Sequence, residues 1–107
     1  MHAFDVLGDP VRRHILQLLS GNSLSSGTIV DIVHKEFGIG QSAISQQLKV
    51  LRDNGFANVT IDGARRIYGL DTSGLKEIDD WLSPFRQFWT PKFEALATEV
   101  ARGKRKK

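Results

Sequence analysis

The sequence predicts a mostly helical chain that carries one small β-hairpin. Three observations lead there. Apolar residues recur every three or four positions over most of the chain, the period of a helix with one buried face. From Asn58 to Tyr68 that period shortens to two, around an Asp62-Gly63 turn signal. Glycine and proline fall at the joints: Gly8, Pro10, Gly21, Gly38, Gly40 and Gly55.

Taken in order, Ala3 to Leu7 suits a short helix, with Phe4 and Leu7 one turn apart and Gly8 ending it. Asp9-Pro10 opens a second: aspartate caps free amides, and proline is welcome in a first turn. Val11, Ile15, Leu18 and Leu19 follow at helical spacing, Gly21 ends the helix, and Arg12 and Arg13 fall on the opposite, solvated side. The third helix begins at Leu24-Ser25. Ser25 is its cap, and Leu24 and Ile29 hold the two positions of a hydrophobic staple. Ile29, Ile32, Val33 and Phe37 form its stripe. Gly38-Ile39-Gly40 makes a turn with Ile39 tucked inward between two hinges. The fourth helix runs from Gln41 to Asn54, and Gly55 closes it in the left-handed position that glycine favours.

The period-two segment follows. Val59 and Ile61 alternate with Asn58, Thr60 and Asp62, and Arg65-Arg66-Ile67-Tyr68 returns as a second strand. The hairpin is too short to stand alone, so it leans on the helices. From Gly74 to Arg102 the chain is helical again. Leu75, Ile78, Leu82, Phe85, Trp89, Phe93, Leu96 and Val100 form a stripe that Trp81 and Phe88 widen. Ser83-Pro84 predicts a break, and Thr90-Pro91 either a kink or a restart.

The bulk properties narrow the function. A chain of 107 residues suits one domain with a modest core, and 25% charged with 40% hydrophobic residues is ordinary for a soluble protein. There is no cysteine, which excludes disulfides and thiolate metal sites and suits a reducing cytoplasm. No apolar run approaches the roughly 18 residues of a membrane span, and the first residues lack a secretion signal's design. Serines are plentiful, but no nucleophile–base–acid motif and no phosphate-cradling loop is present, so an enzyme is not expected. His2, His14 and His34 are too far apart to form a ligand set, and neither metal nor cofactor is expected. The positive surplus is concentrated in two places. Residues 41–70 hold four basic and two acidic side chains, and residues 102–107 hold five basic side chains and no acid. That tail suits either a DNA-hugging arm or a solvated end.

The fourth helix carries the functional signal. Ile44, Leu48 and Leu51 lie at i, i+4 and i+7 on its buried side. At about 100° per residue, Ser42, Gln46 and Lys49 point almost directly away, Ser45 lies at the border, and Gln41 stands in the first turn. A helix with one core face and one hydrogen-bonding face fits the major groove of DNA.

Helix–helix–turn–helix–hairpin–helix is the winged helix-turn-helix order (α-α-α-α-β-β-α). Three runs carry a closer likeness: Leu7-Gly8-Asp9-Pro10-Val11-Arg12, Ala43-Ile44-Ser45-Gln46-Gln47-Leu48-Lys49-Val50-Leu51-Arg52, and Gly63-Ala64-Arg65-Arg66-Ile67-Tyr68. With Arg86-Gln87-Phe88-Trp89, the chain resembles the ArsR (ArsR/SmtB) family of bacterial transcriptional regulators over nearly its whole length. The last run resembles the branch without metal sites, which includes small autorepressors. Many relatives have Ser, Pro and His where this chain has Gly40, Ser42 and Gln47, so an operator preference does not transfer.

The resemblance implies a homodimeric repressor acting at an inverted-repeat operator in duplex DNA. The expected division is helix-turn-helix over 25–54, wing over 57–70, dimerisation helices over 74–102 and basic tail over 103–107. Gln41, Ser42, Ser45 and Gln46 are the expected base readers, with Gln47 beside them. Lys49, Arg65 and Arg66 are expected on phosphates, and one of the two arginines in a minor groove, the hairpin register deciding which. Phe85, Phe88, Trp89 and Phe93 exceed what a small core absorbs. With Leu82 and Leu96, and with Phe4 and Leu7 of the first helix, they form the expected dimer surface. The alternative is a winged-helix protein–protein interaction module without DNA specificity. No residue pattern identifies a small-molecule effector.

Overall fold

The computed structural model describes residues 1–89. The joint expected at Pro91, the stripe residues Phe93, Leu96 and Val100, and the basic tail lie outside the described residues. The elements are α1 (Ala3–Leu7), α2 (Pro10–Gly21), β1 (Leu24–Ser25), α3 (Ser26–Phe37), α4 (Gln41–Asp53), β2 (Ala57–Asp62), β3 (Arg65–Leu70) and α5 (Ser73–Leu82). A 3₁₀ turn over Ser83–Phe88 follows, with Pro84 in its first positions, so the helix breaks where the Ser83-Pro84 pair predicts.

The caps match the local chemistry. Asp9 Oδ1 accepts the amides of Val11 at 2.7 Å and Arg12 at 3.3 Å. Ser25 Oγ accepts the Thr28 amide at 3.2 Å. Gly38, at φ +69°, ends α3 and donates its N–H to His34 O at 2.8 Å. The end of α4 is the most informative. Gly55 sits at φ +78°; its amide reaches Arg52 O at 3.4 Å and that of Phe56 reaches Leu51 O at 2.9 Å. This pair of bonds is a Schellman motif. It turns the chain sharply and drives Phe56 into the core, where it is wholly buried.

The helices and sheet share one core. Ile15 and Leu19 of α2 meet Ile29 and Val33 of α3, and Ile44, Leu48 and Leu51 of α4, with Val6, Phe56 and Tyr68 completing the cluster. Each fully buried Leu, Ile or Phe contributes about 1.5–3 kcal/mol relative to exposure. Phe37, expected on the α3 stripe, is 36% exposed at the end of the helix and packs edge-on against His14.

Three findings differ from the sequence reading. First, Leu24 and Ser25, read only as staple and cap of α3, are also a strand. They form β1, which pairs antiparallel with β3 (Leu24 opposite Tyr68, Ser25 opposite Ile67), so the hairpin becomes a three-stranded sheet of order β1-β3-β2. The partner is more than 40 positions away, beyond any local signal. Second, the hairpin loop is Gly63-Ala64, since Asp62 already pairs with Arg65. Only Gly63 takes a positive φ, at +62°, which fits a turn with glycine in its first central position. Third, Arg12 is not solvated. Its side chain is 13% exposed, and each nitrogen of its guanidinium donates a hydrogen bond to α1 or α4.

Two outcomes follow from the packing around α5. Gly74 lies against the Phe56 ring so closely that a Cβ would stand 2.5–2.7 Å from three ring carbons. Gly74→Ala should therefore lower the unfolding free energy by about 1–3 kcal/mol, read by urea melting. Asp71 Oδ1 accepts the Ser73 amide at 2.9 Å. That bond and one from the Ser73 hydroxyl hold the Asp71 carboxyl below the usual aspartate value of 3.8. A folded-state pKa lowered in this way stabilises the start of α5 above that value, and the contribution is lost as pH falls through the folded one. The Ser73 amide resonance should shift on acidification below about pH 4 and stay put in Asp71→Asn.

Candidate nucleic-acid interface

The position of α4 begins with its anchors. Ile44 and Leu51 are 0% exposed and Leu48 is 2% exposed, so the opposite side of the helix faces outward. Ser42, Ser45, Gln46 and Lys49 are all exposed on that side. Gly40 stands at the N-cap in extended conformation and offers no side chain to the first-turn amides. Those amides and the helix dipole present partial positive charge at this end.

The hairpin supplies the facing wall. Cross-strand partners share a face, and faces alternate along a strand. Val59 pairs with Tyr68 and Ile61 with Arg66, so Arg66 lies on the same face as the buried Tyr68, toward α4. Arg65 pairs with Asp62 on the opposite face. The result is an open groove of about 500 Å³ between α4 and the wing. Ser42, Ser45, Gln46, Lys49, Arg52 and Arg66 line it, with Ser26 and Tyr68 at its margin. Among the described residues three cations line the groove and no carboxylate does. Arg52 leans toward Asp53 at 3.6 Å, whereas Lys49 and Arg66 form no ion pair among the described residues.

Five of the eight residues expected to meet DNA thus converge, and three are placed differently. Gln41 lies with Ser45 in a smaller recess toward the start of α3, beside Ser26 and Asp31. Arg65 is on the far face of the wing. Gln47 is half-buried and accepts a hydrogen bond from Arg12 Nη1 at 2.8 Å. One further residue lines the groove without having been singled out: Arg52, at helical spacing from Ser45 and Lys49. Ile61, 64% exposed, stands on the wing opposite Arg66. Both were readable in principle, Arg52 from the helical wheel and Ile61 once the register is known.

A second exposed face lies on α1 and α5. Phe4 meets Trp81 edge-on with ring centroids 5.1 Å apart, and Trp81 meets Phe85 at 4.8 Å. These three rings are 39–54% exposed, Phe88 is 68% and Trp89 39% exposed, while Leu7 and Leu82 are half-buried. Trp81 is the centre of this face, although the sequence pattern places it at the edge of the stripe. Arg86 pairs with Asp79 and ties the 3₁₀ turn back to α5.

The histidines are dispersed. His2 caps α1 by accepting the Phe4 amide at 3.3 Å, His14 packs on Phe37, and His34 Nδ1 meets Ile39 O at 2.8 Å across the turn. Among the described residues no three His, Asp or Glu side chains converge, and no helix is long and apolar enough to cross a membrane.

Known proteins share this arrangement. Residues 9–59, which span α2 to the start of the wing, match the family described as bacterial regulatory protein, arsR family. The transcriptional repressor SdpR of Bacillus subtilis is 30% identical over 84 residues, covering 78% of this chain and 89% of that protein. The crystal structure of a possible transcriptional regulator for arsenical resistance superposes with a TM-score of 0.66 at 29% identity, covering 92% of this chain and 96% of the other. The homodimeric winged helix-turn-helix DNA-binding domain of Mb0332 from Mycobacterium bovis shares the fold, with a TM-score of 0.60 at 18% identity and coverage of 79% and 75%. With two helices around a glycine-bounded turn, a hairpin beside the second of them and these relatives, the chain belongs to the ArsR family of winged helix-turn-helix DNA-binding transcriptional regulators, a family of regulators and not of enzymes.

Proposed function

We propose that this protein is a homodimeric repressor, independent of metal, that recognises an inverted-repeat operator in duplex DNA. The carrying observation is the groove, lined by no carboxylate among the described residues, in which the exposed ridge of α4 and Arg66 of the wing face the same space. In this reading α4 enters the major groove. Gln46 bonds a base edge, two hydrogen bonds to adenine being its best match, and Ser42 and Ser45 supplement it. Gln41 and the first-turn amides sit nearer the phosphates. Lys49 and Arg52 follow the backbone, and Arg66 reaches from the wing toward the adjacent minor groove, with Ile61 against sugar. Arg65, on the far side of the hairpin, contributes mainly to the field.

One such unit meets few base pairs, so specificity calls for two, with half-sites about 34–36 Å apart on one side of the duplex. The exposed Phe4–Trp81–Phe85 face suits the pairing surface, together with Leu7, Leu82, Phe88, Trp89, Phe93 and Leu96. The exposed acids Glu77, Asp79 and Asp80 hold that face away from DNA. The chain acts as one unit on this reading: 25–54 reads, 57–70 flanks, 74–102 pairs the subunits, and the basic tail 103–107 adds positive charge. Occlusion of a promoter would then repress, as the name of the SdpR relative states for that protein.

Selection of duplexes from a random pool by the purified chain tests this directly. A two-fold symmetric consensus is expected, and absence of any preference, with a stable complex to another protein instead, would favour an interaction module. Gln46→Ala should change the preferred base at one position per half-site and cost about 1–3 kcal/mol on the original site. Arg66→Ala should weaken all duplexes alike and reduce the slope of log affinity against log salt by about 1, with Arg65→Ala having the smaller effect. Trp81→Glu should shift the sedimentation of the chain from dimer to monomer and abolish co-operative binding to paired half-sites.

A further inference from the structure

Arg12 is the most heavily used polar side chain in the described fold, and no DNA contact explains it. Its Nε donates to Val6 O at 2.7 Å and its Nη2 to Asp5 O at 2.9 Å, both at the C-terminal end of α1. Its Nη1 donates to Gln47 Oε1 on α4 at 2.8 Å and stands 3.7 Å from Asp9 Oδ2. The side chain is 13% exposed. A guanidinium only donates, so it is the amide oxygen of Gln47 that faces Arg12, and this bond turns the half-buried amide toward α2 and away from the exposed ridge of α4. Arg13 adds a bond to Leu7 O at 2.6 Å, so three successive carbonyls of α1 are held by arginines of α2. The planar fork of Arg12 bonds α1 and α4 at once, and a lysine has no equivalent second arm.

The far side of α1 carries Phe4, which packs on Trp81. The exposed aromatic face and the reading helix are therefore joined through a short relay: Trp81, Phe4, the α1 carbonyls, Arg12 and Gln47. We propose that Arg12 and Gln47 are positioning residues: their hydrogen bond holds α4 at a set angle to α1, and so sets the separation of the two reading helices in the dimer. Gln47 then governs DNA recognition through the seating of α4 and not by touching a base. The inference rests on the homodimeric operator-binding reading above and adds to it the determinant of half-site spacing.

The test uses the full chain and a duplex library in which both the half-site sequence and the spacer between half-sites vary. Gln47→Glu keeps an acceptor for Arg12 and strengthens the bond by charge. It should preserve the wild-type base preference at every position and the wild-type spacer. Gln47→Leu removes the acceptor yet leaves the Arg12 bonds to α1. It should keep the base preference, broaden the accepted spacers and lose about 10-fold in affinity for the original operator. Arg12→Lys should broaden the spacers in the same way. Adding Gln47→Leu to Arg12→Lys should cost little beyond Arg12→Lys alone, because the tie to Gln47 is already lost. Circular dichroism melts identify any variant that fails to fold, and the Gln47 pair carries the test in that case. A changed base at one position in Gln47→Glu would overturn the proposal, since that is the mark of direct reading. Unaltered spacer selectivity in a folded Gln47→Leu protein would overturn it too. If the wild-type chain selects no sequence at all, the operator-binding reading itself falls, and the inference with it.

Discussion

Burial of Ile44, Leu48 and Leu51 is the constraint from which the interface follows. These three side chains fill the space between α2, α3 and the sheet. A helix is stiff in rotation, since one residue of slippage turns it by about 100°. Such a slip in α4 would expose two or three large apolar groups at about 1.5–3 kcal/mol each and press Lys49 and Arg52, or Gln47, toward the core. The polar ridge therefore faces outward because of what lies behind it, and no interaction on the outer surface is required to hold it there. The Schellman motif at Gly55 adds to the same lock, because it seats Phe56 directly beneath the end of the helix.

The wing obeys a comparable rule with a different period. Along a strand, a one-residue shift in register reverses every side chain. Tyr68 is buried against the core and its cross-strand partner Val59 packs beside it, which settles the register. Arg66 then turns toward α4 and Arg65 away from it. Adjacent arginines of identical chemistry thus acquire different surroundings from one buried tyrosine. Pairing of β3 with β1 fixes the sheet to the chain segment that begins α3, so the wing and the helix-turn-helix share a backbone hydrogen-bonded frame.

Arg12 shows how a half-buried charged residue becomes part of the scaffold. The short α1 ends in carbonyls that the helix leaves unpaired or, at Asp5 O, bonded only by the Gly8 cap amide, and a neighbouring arginine donates to two of them. Its third arm reaches α4.

Much of this was legible in the linear pattern. Helical spacing located α2, α3 and α4 to within a residue or two, because amphipathic stripes and caps are local properties. The caps at Asp9 and Ser25, the left-handed turn at Gly55 and the break at Pro84 were readable for the same reason. The outward ridge of Ser42, Ser45, Gln46 and Lys49 required only the helical period. What local pattern cannot carry is any pairing between distant segments. The strand at Leu24–Ser25 exists only because β3 lies alongside it. The choice between Arg65 and Arg66 depends on Tyr68 finding the core. Arg12 looks solvated on a helical wheel, and Gln47 looks available to a base, until folding brings 35 residues of separation down to 2.8 Å. Periodicity and capping are written into neighbouring residues, whereas which polar groups spend their hydrogen bonds on each other is settled only when the packed chain brings them within reach.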